Sequence, residues 1–262
     1  MLTALRRVMA RYTLIKGEYH IFYPDLPRSG PEPDGDTVTF RPDNPELIRS
    51  LPNQGRPPKF NGRKMTSIRF EGIDTLETHF QEMHQELGFA REARDFMLAK
   101  LGFTGVQFWP DQPNRVSAVD NNPRRGFVIA NEVESNGRTV AFVYSGDSAD
   151  ADGSEIFLDA TTMEKGVNIA LVNASLTYGA FYTTLPTDLI QRMRELVRAA
   201  RNASKGLWAS ENLNIKAQLK FVTSRNSRLS LCGRSSFVVS LTISHPGTSV
   251  SRNSTRGFAK TL

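Results

Sequence analysis

The stretch Ser67-Ile-Arg-Phe-Glu-Gly-Ile-Asp-Thr-Leu-Glu77 constrains the fold more than any other in the chain. It opens as an alternating strand, with Ile68, Phe70 and Gly72 on one face and Arg69 on the other. It ends in a turn that carries Asp74 and Glu77. An arginine inside a strand needs a partner, and two carboxylates stand where that strand runs out. Arginine, aspartate and glutamate within nine residues suggest phosphate and a divalent metal. Turn statistics alone account for Asp-Thr, and a structural ion pair with Glu71 or Asp74 would equally satisfy Arg69.

A second acidic turn, Asp34-Gly-Asp-Thr37, feeds a short strand, Thr37–Phe40. If the strands flanking the two turns pair, the turns meet. Asp36 and Asp74 are then candidate carboxylates for a hard cation, with the Thr75 carbonyl as a third oxygen and Asp34 in an outer shell through water. Glu77, three residues past Asp74, is a candidate to orient or deprotonate water. At a helix start it would also be favoured by the dipole. Arg125, in Asn-Asn-Pro-Arg-Arg-Gly126, is a candidate second phosphate ligand from another loop, where a solvated arginine is the ordinary case.

The remaining strands are expected over 12–23, 106–109, 115–119, 126–131 and 139–145, the last apolar on both faces and so buried on both sides. Helices are expected over 86–101, 167–176 and 187–204, the last capped by Thr187 and striped by Leu189, Met193, Leu196, Val197 and Ala200. Residues 24–35 and 146–156 read as loops. Residues 41–66, with five prolines, read as a long surface insertion with one helical turn near Glu46–Arg49.

Charge separates the chain into two parts. After position 210 eight Lys and Arg stand against Glu211 alone, a net +7, whereas residues 1–210 hold 25 basic and 26 acidic residues, a net −1. Attraction to nucleic acid must then come from a local patch or from the tail. Residues 212–262 lack Asp and Glu and read as a poorly ordered basic tail. Cys232 is the only cysteine, so no internal disulfide forms. No window of 18 apolar residues and no Sec-type leader is evident, so no membrane partner and a cytoplasmic location are expected. His79 and His84 lack a third ligand for zinc. No Walker loop, Gly-x-Ser-x-Gly or dinucleotide fingerprint occurs. Composition says nothing of oligomeric state.

Taken in order, Asp34-Gly-Asp-Thr-Val, Ile68-Arg-Phe-Glu-Gly-Ile-Asp-Thr-Leu-Glu77 and Arg125-Gly126 resemble the thermonuclease, or staphylococcal nuclease-like, family. Ala90-Arg-Glu-Ala93, Val167-Asn-Ile-Ala-Leu-Val172 and Lys205-Gly-Leu-Trp-Ala-Ser-Glu211 extend the resemblance over roughly residues 12–211, with insertions near 21–33, 41–66 and 145–160. Residues 1–11 and 212–262 then flank the domain as an extension and a tail. The resemblance implies an α+β, mainly β fold: an OB-type five-stranded barrel with about three helices. It also implies Ca²⁺-dependent hydrolysis of DNA and RNA phosphodiesters, breaking the 5′ P–O bond to leave 3′-phosphates. On that reading Asp36, Asp74 and Thr75 hold the metal, with Asp34 in its outer shell. Arg69 and Arg125 grip the phosphate, and Glu77 positions or activates water.

Three departures stand out. Leu76 replaces a proline, Asn122-Pro123 replaces a Lys-Tyr pair, and Phe181 aligns with the aromatic that packs near the substrate base, with Tyr182 one place on. The rival reading is a noncatalytic barrel that binds nucleic acid or protein.

Overall fold

The computed structural model describes residues 11–78, 87–181 and 185–209. The N-terminal extension up to residue 10, His79, His84, Tyr182 and the tail 212–262 lie outside the described residues. Five strands close the barrel: β1 (Arg11–His20), β2 (Thr37–Pro42), β3 (Thr66–Phe70), β8 (Thr139–Ser145) and β7 (Arg124–Val133). Their order is β2-β3-β8-β7-β1, and β1 pairs back with β2. The β3–β8 pair is parallel and the others are antiparallel. Register followed from Arg69 reaches β7 at Glu132 through Val140. Followed the other way, through Thr37, it arrives near Asn122, whose side chain bonds the backbone of Ile21 and Phe22. The stagger between the two is about ten residues, and a stagger of that kind tilts the strands of a small barrel so that side chains fill its interior. The expected OB-type five-stranded barrel is the observed fold.

Around it run α1 (Pro45–Arg49), β4 (Ile73–Asp74), α2 (Leu87–Lys100), the hairpin β5–β6 (Gln107–Trp109 and Gln112–Ala118), β9 (Glu155–Phe157), α3 (Ala160–Glu164), α4 (Val167–Asn173), β10 (Tyr178–Gly179) and α5 (Thr187–Asn202). Among the described residues three helices are of seven residues or more, as expected, and α1 and α3 add single turns. As expected, β8 is buried on both faces from Thr139 to Tyr144.

One expectation is refined and one corrected. Residues 41–66 are mostly exposed, with the expected helical turn at Pro45–Arg49, but the stretch is not loose: Ile48, Leu51 and Met65 are buried, and Asn53 bridges to Val133 on β7. Few apolar residues are present there, but Ile48 and Leu51 are spaced for one face of a helical turn, which puts both into the core. Thr187 does not cap α5. It is the first helical residue, and Pro186 before it offers no side-chain bond.

The loop that follows β1 is clamped to the β5–β6 hairpin. The Arg28 guanidinium lies 4.1 Å over the Trp109 ring and pairs with Asp111 at 2.7 Å. Trp109 Nε1 donates to the Pro27 carbonyl at 3.4 Å.

Asn168, in the middle of α4, ties helix to barrel. Its Oδ1 accepts from the Val143 N–H at 2.9 Å, and its Nδ2 donates to the carbonyls of Glu71 and Ala141. The residue is fully buried. In Asn168→Ala the Val143 N–H and the Glu71 carbonyl lose these partners in a buried site. A loss of about 1–3 kcal/mol is expected, read as a lower urea midpoint at unchanged slope.

Candidate active site

Pairing of β2 with β3 sets Thr37 beside Arg69, so the turn before β2 and the turn after β3 meet. The Phe70 N–H donates to the Asp36 carbonyl, and the Thr75 N–H to Asp36 Oδ2 at 2.8 Å. Gly35 permits this approach: a Cβ there would fall 2.7 Å from Thr75 Oγ1. Asp34 is held by the Gly35 N–H at 2.9 Å and by the Thr78 hydroxyl at 3.3 Å.

Arg69 reaches across the gap between the two turns. Its guanidinium bridges Asp36 and Asp74 and donates to the Ile73 carbonyl at 3.3 Å. Arg69 and Asp36 are both buried, at 5% and 3% exposure, where a charge persists only when paired. Glu77 donates a hydrogen bond to Asp34. Burial and the charges of Asp34, Asp36 and Asp74 push Glu77 up to about 9. Burial and the neighbouring Asp36 push Asp34 up as well. Four carboxylates thus gather in one cluster, two of them paired with the Arg69 guanidinium.

The structure therefore brings together Asp34, Asp36, Arg69, Asp74, Thr75 and Glu77. It does not bring Arg125 into contact with them. Arg125 lies on β7 opposite Glu18, and its guanidinium makes a two-pronged pair with Asp43, at 2.8 and 2.6 Å. The acids that act on it are Asp43, Asp147 and Glu18. Phe181 lies against Gly179, with the Arg194 guanidinium 5.6 Å from its ring.

The supports of the acidic turn are distant in sequence. Tyr178 on β10 pairs with Asp74 on β4, and the Thr177 hydroxyl donates to the Asp74 carbonyl at 2.9 Å. Leu76 is buried with Ala90 of α2 and Leu207, beside Phe89 and Tyr178. An apolar leucine thus anchors the turn by packing, at the position where the family carries proline. Thr78, Thr177 and Tyr178 gave no signal in sequence, because threonine and tyrosine fit any strand or turn.

Glu71 was seen in sequence only as a neighbour of Arg69. It is fully buried, and neither carboxyl oxygen has a hydrogen-bond partner among the described residues. Burial first, then Glu132, pushes it up to about 8, against a smaller opposing effect of Arg69. A carboxyl raised in the folded state contributes stability that is complete below its unfolded value of 4.5 and is lost as pH climbs through the folded value. Glu77 acts with the same sign. Cation-free protein is therefore expected to lose stability progressively from about pH 4.5 to pH 8–9. Glu71→Gln should flatten part of that slope, as read from denaturant midpoints across the range.

Every donor in the cluster is oxygen, and the Thr75 hydroxyl is buried without a hydrogen-bond partner. Such a set suits a hard divalent cation such as Ca²⁺. Among the described residues no three His, Cys, Asp or Glu side chains are placed together to hold a metal ion; Asp36 and Asp74 are paired with Arg69 instead.

A closed OB barrel with arginine and carboxylates at the strand ends defines a nuclease-like or nucleic-acid-binding module. The model of the family described as staphylococcal nuclease homologue matches residues 67–210, more than half of the chain, and the chain belongs to that family. No curated protein matches it significantly. The matched stretch begins on β3, so Asp34 and Asp36 lie outside it and enter the site through the β2–β3 pairing. Among the described residues no helix is long and apolar enough to cross a membrane.

Proposed function

We propose that the protein is a Ca²⁺-dependent nuclease that hydrolyses phosphodiester bonds of DNA, RNA or both. The observation that carries this reading is the cluster of four carboxylates gathered from the two turns: buried Asp36 and half-buried Asp74 paired with Arg69, and half-buried Asp34 and Glu77 beside them. A barrel that only binds has no need to bury acids that repel one another and the substrate.

Asp36 and Asp74 would hold the cation, with Thr75 beside them and Asp34 behind. When bound, Ca²⁺ supplies positive charge that keeps these acids ionised and polarises a phosphate oxygen. Arg69 donates hydrogen bonds to the phosphate and offsets charge that builds on it. Ionised Glu77 accepts a proton from the water that attacks phosphorus. The bond to the 5′ oxygen breaks, that oxygen leaves with the electron pair and takes a proton from solvent, and a 3′-phosphate remains. The test is cleavage of plasmid DNA and of single-stranded RNA by the folded protein, with Ca²⁺ and with chelator.

The noncatalytic reading draws on the Arg125–Asp43 pair, which leaves Arg125 outside the carboxylate cluster. It requires strand binding that Glu77→Ala leaves unchanged, with no cleavage by either form.

A further inference from the structure

Arg125, Glu18 and Arg41 form one row across β7, β1 and β2, each in direct register with the next. Direct register puts their side chains on one face of the sheet. Glu18 pairs with Arg41, and Arg125 pairs with Asp43, just past the end of β2. Beside this row lies a cavity of about 370 Å³, lined by Glu18, Arg41, Pro42, Asp43, Pro45 and Lys64. Lys64 enters it from a backbone at φ +58°, a conformation that a residue with a Cβ adopts at a cost. Among the described residues Lys64 has no ion-pair partner. The cluster holds three basic side chains, Arg41, Lys64 and Arg125, with Glu18 and Asp43 among them and Asp147, held by Lys16, also acting on Arg125. His20, beside Glu18, adds no charge at neutral pH, because burial first and then Arg41 push it down to about 4.

The Arg125–Asp43 pair is the informative contact. Both prongs of the guanidinium are engaged by one carboxylate, and the same fork fits a phosphate with two oxygens. The pair is nearly half exposed, at 40% and 43%. Solvent-exposed pairs of this kind are weak, so an incoming phosphodiester can take Asp43's place.

We infer that Asp43 is an internal stand-in for substrate phosphate, and that a nucleic-acid strand entering this cavity displaces it and lays its backbone along Arg125, Arg41 and Lys64. This rests on reading the barrel as one that takes a nucleic-acid strand. It adds a second backbone site, formed partly by the insertion that begins at residue 41, and it makes Asp43 a brake on affinity.

The test is fluorescence anisotropy with a labelled 12-nucleotide oligothymidylate, in chelator, using the full chain carrying Glu77→Gln. Asp43→Asn keeps the shape of the exposed side chain and removes its charge. It should tighten binding about two- to fivefold at low salt, and the gain should shrink as salt rises. Arg125→Ala should abolish that gain, and Lys64→Ala should weaken binding in either background. Three results overturn the inference: equal affinity for Asp43→Asn and its parent, a gain that persists in Arg125→Ala, or no strand binding by either. Cleavage is read separately on chains with Glu77 intact. A protein that binds as described but does not cut refutes the nuclease reading and leaves this site standing.

Discussion

Glu77→Gln is expected to lower the rate of phosphodiester cleavage by about 10²- to 10⁴-fold, the range lost with a positioned general base. Affinity for the strand should stay within a few fold. The amide keeps the volume and the hydrogen bond to Asp34 but cannot take a proton from water. The substitution also removes one of the mutually repelling acids, whose carboxyl is pushed up to about 9. The variant should therefore fold at least as stably as its parent above neutral pH. Single-turnover cleavage beside a urea titration separates the two effects. A rate loss with a parallel stability loss would mean that Glu77 only props the turn.

Arg69→Ala carries the largest expected stability effect. Its guanidinium is the partner of both Asp36 and Asp74. Without it, Asp36 keeps a carboxylate at 3% exposure, facing Asp34 and Glu77. Breaking a buried pair from one side costs about 3–5 kcal/mol. On the proposed reading Ca²⁺ would bind the same oxygens, so it should raise the melting temperature of Arg69→Ala more than that of the parent. Cleavage should be lost even with Ca²⁺ present, because the phosphate then lacks its donor. Melting curves with and without Ca²⁺ check the first statement and plasmid cleavage the second.

Much of this was legible in the chain because the signals are local. Ile68, Phe70 and Ile73 mark a strand into a turn, and Asp34-Gly-Asp-Thr37 marks its partner. The β2–β3 register then joins them, as pairing of the flanking strands required. What stayed hidden is set by contacts far apart in sequence. Asp43 gives no sign of reaching Arg125, 82 residues on. Leu76 alone does not say that it packs on Ala90 and Leu207. Glu71 shares a strand face with Arg69, which alternation reads as polar and outward. In a closed barrel flanked by helices both faces are covered, so both residues are inside. The strands β4, β9 and β10 have two or three residues, too few for a period of two to register. The anchoring of residues 41–66 was missed because their prolines and charges outweigh Ile48, Leu51 and Met65 in any average.

The most direct measurement is cleavage of supercoiled plasmid by the full chain, with folding confirmed by circular dichroism, in Ca²⁺ and in chelator. The expected result is nicking and linearisation in Ca²⁺ only, with fragments ending in 3′-phosphates, and no cutting by Glu77→Gln under the same conditions. A folded protein that leaves the plasmid intact in Ca²⁺, or that cuts equally in chelator, would contradict a metal-dependent site built on Asp36, Arg69, Asp74 and Glu77.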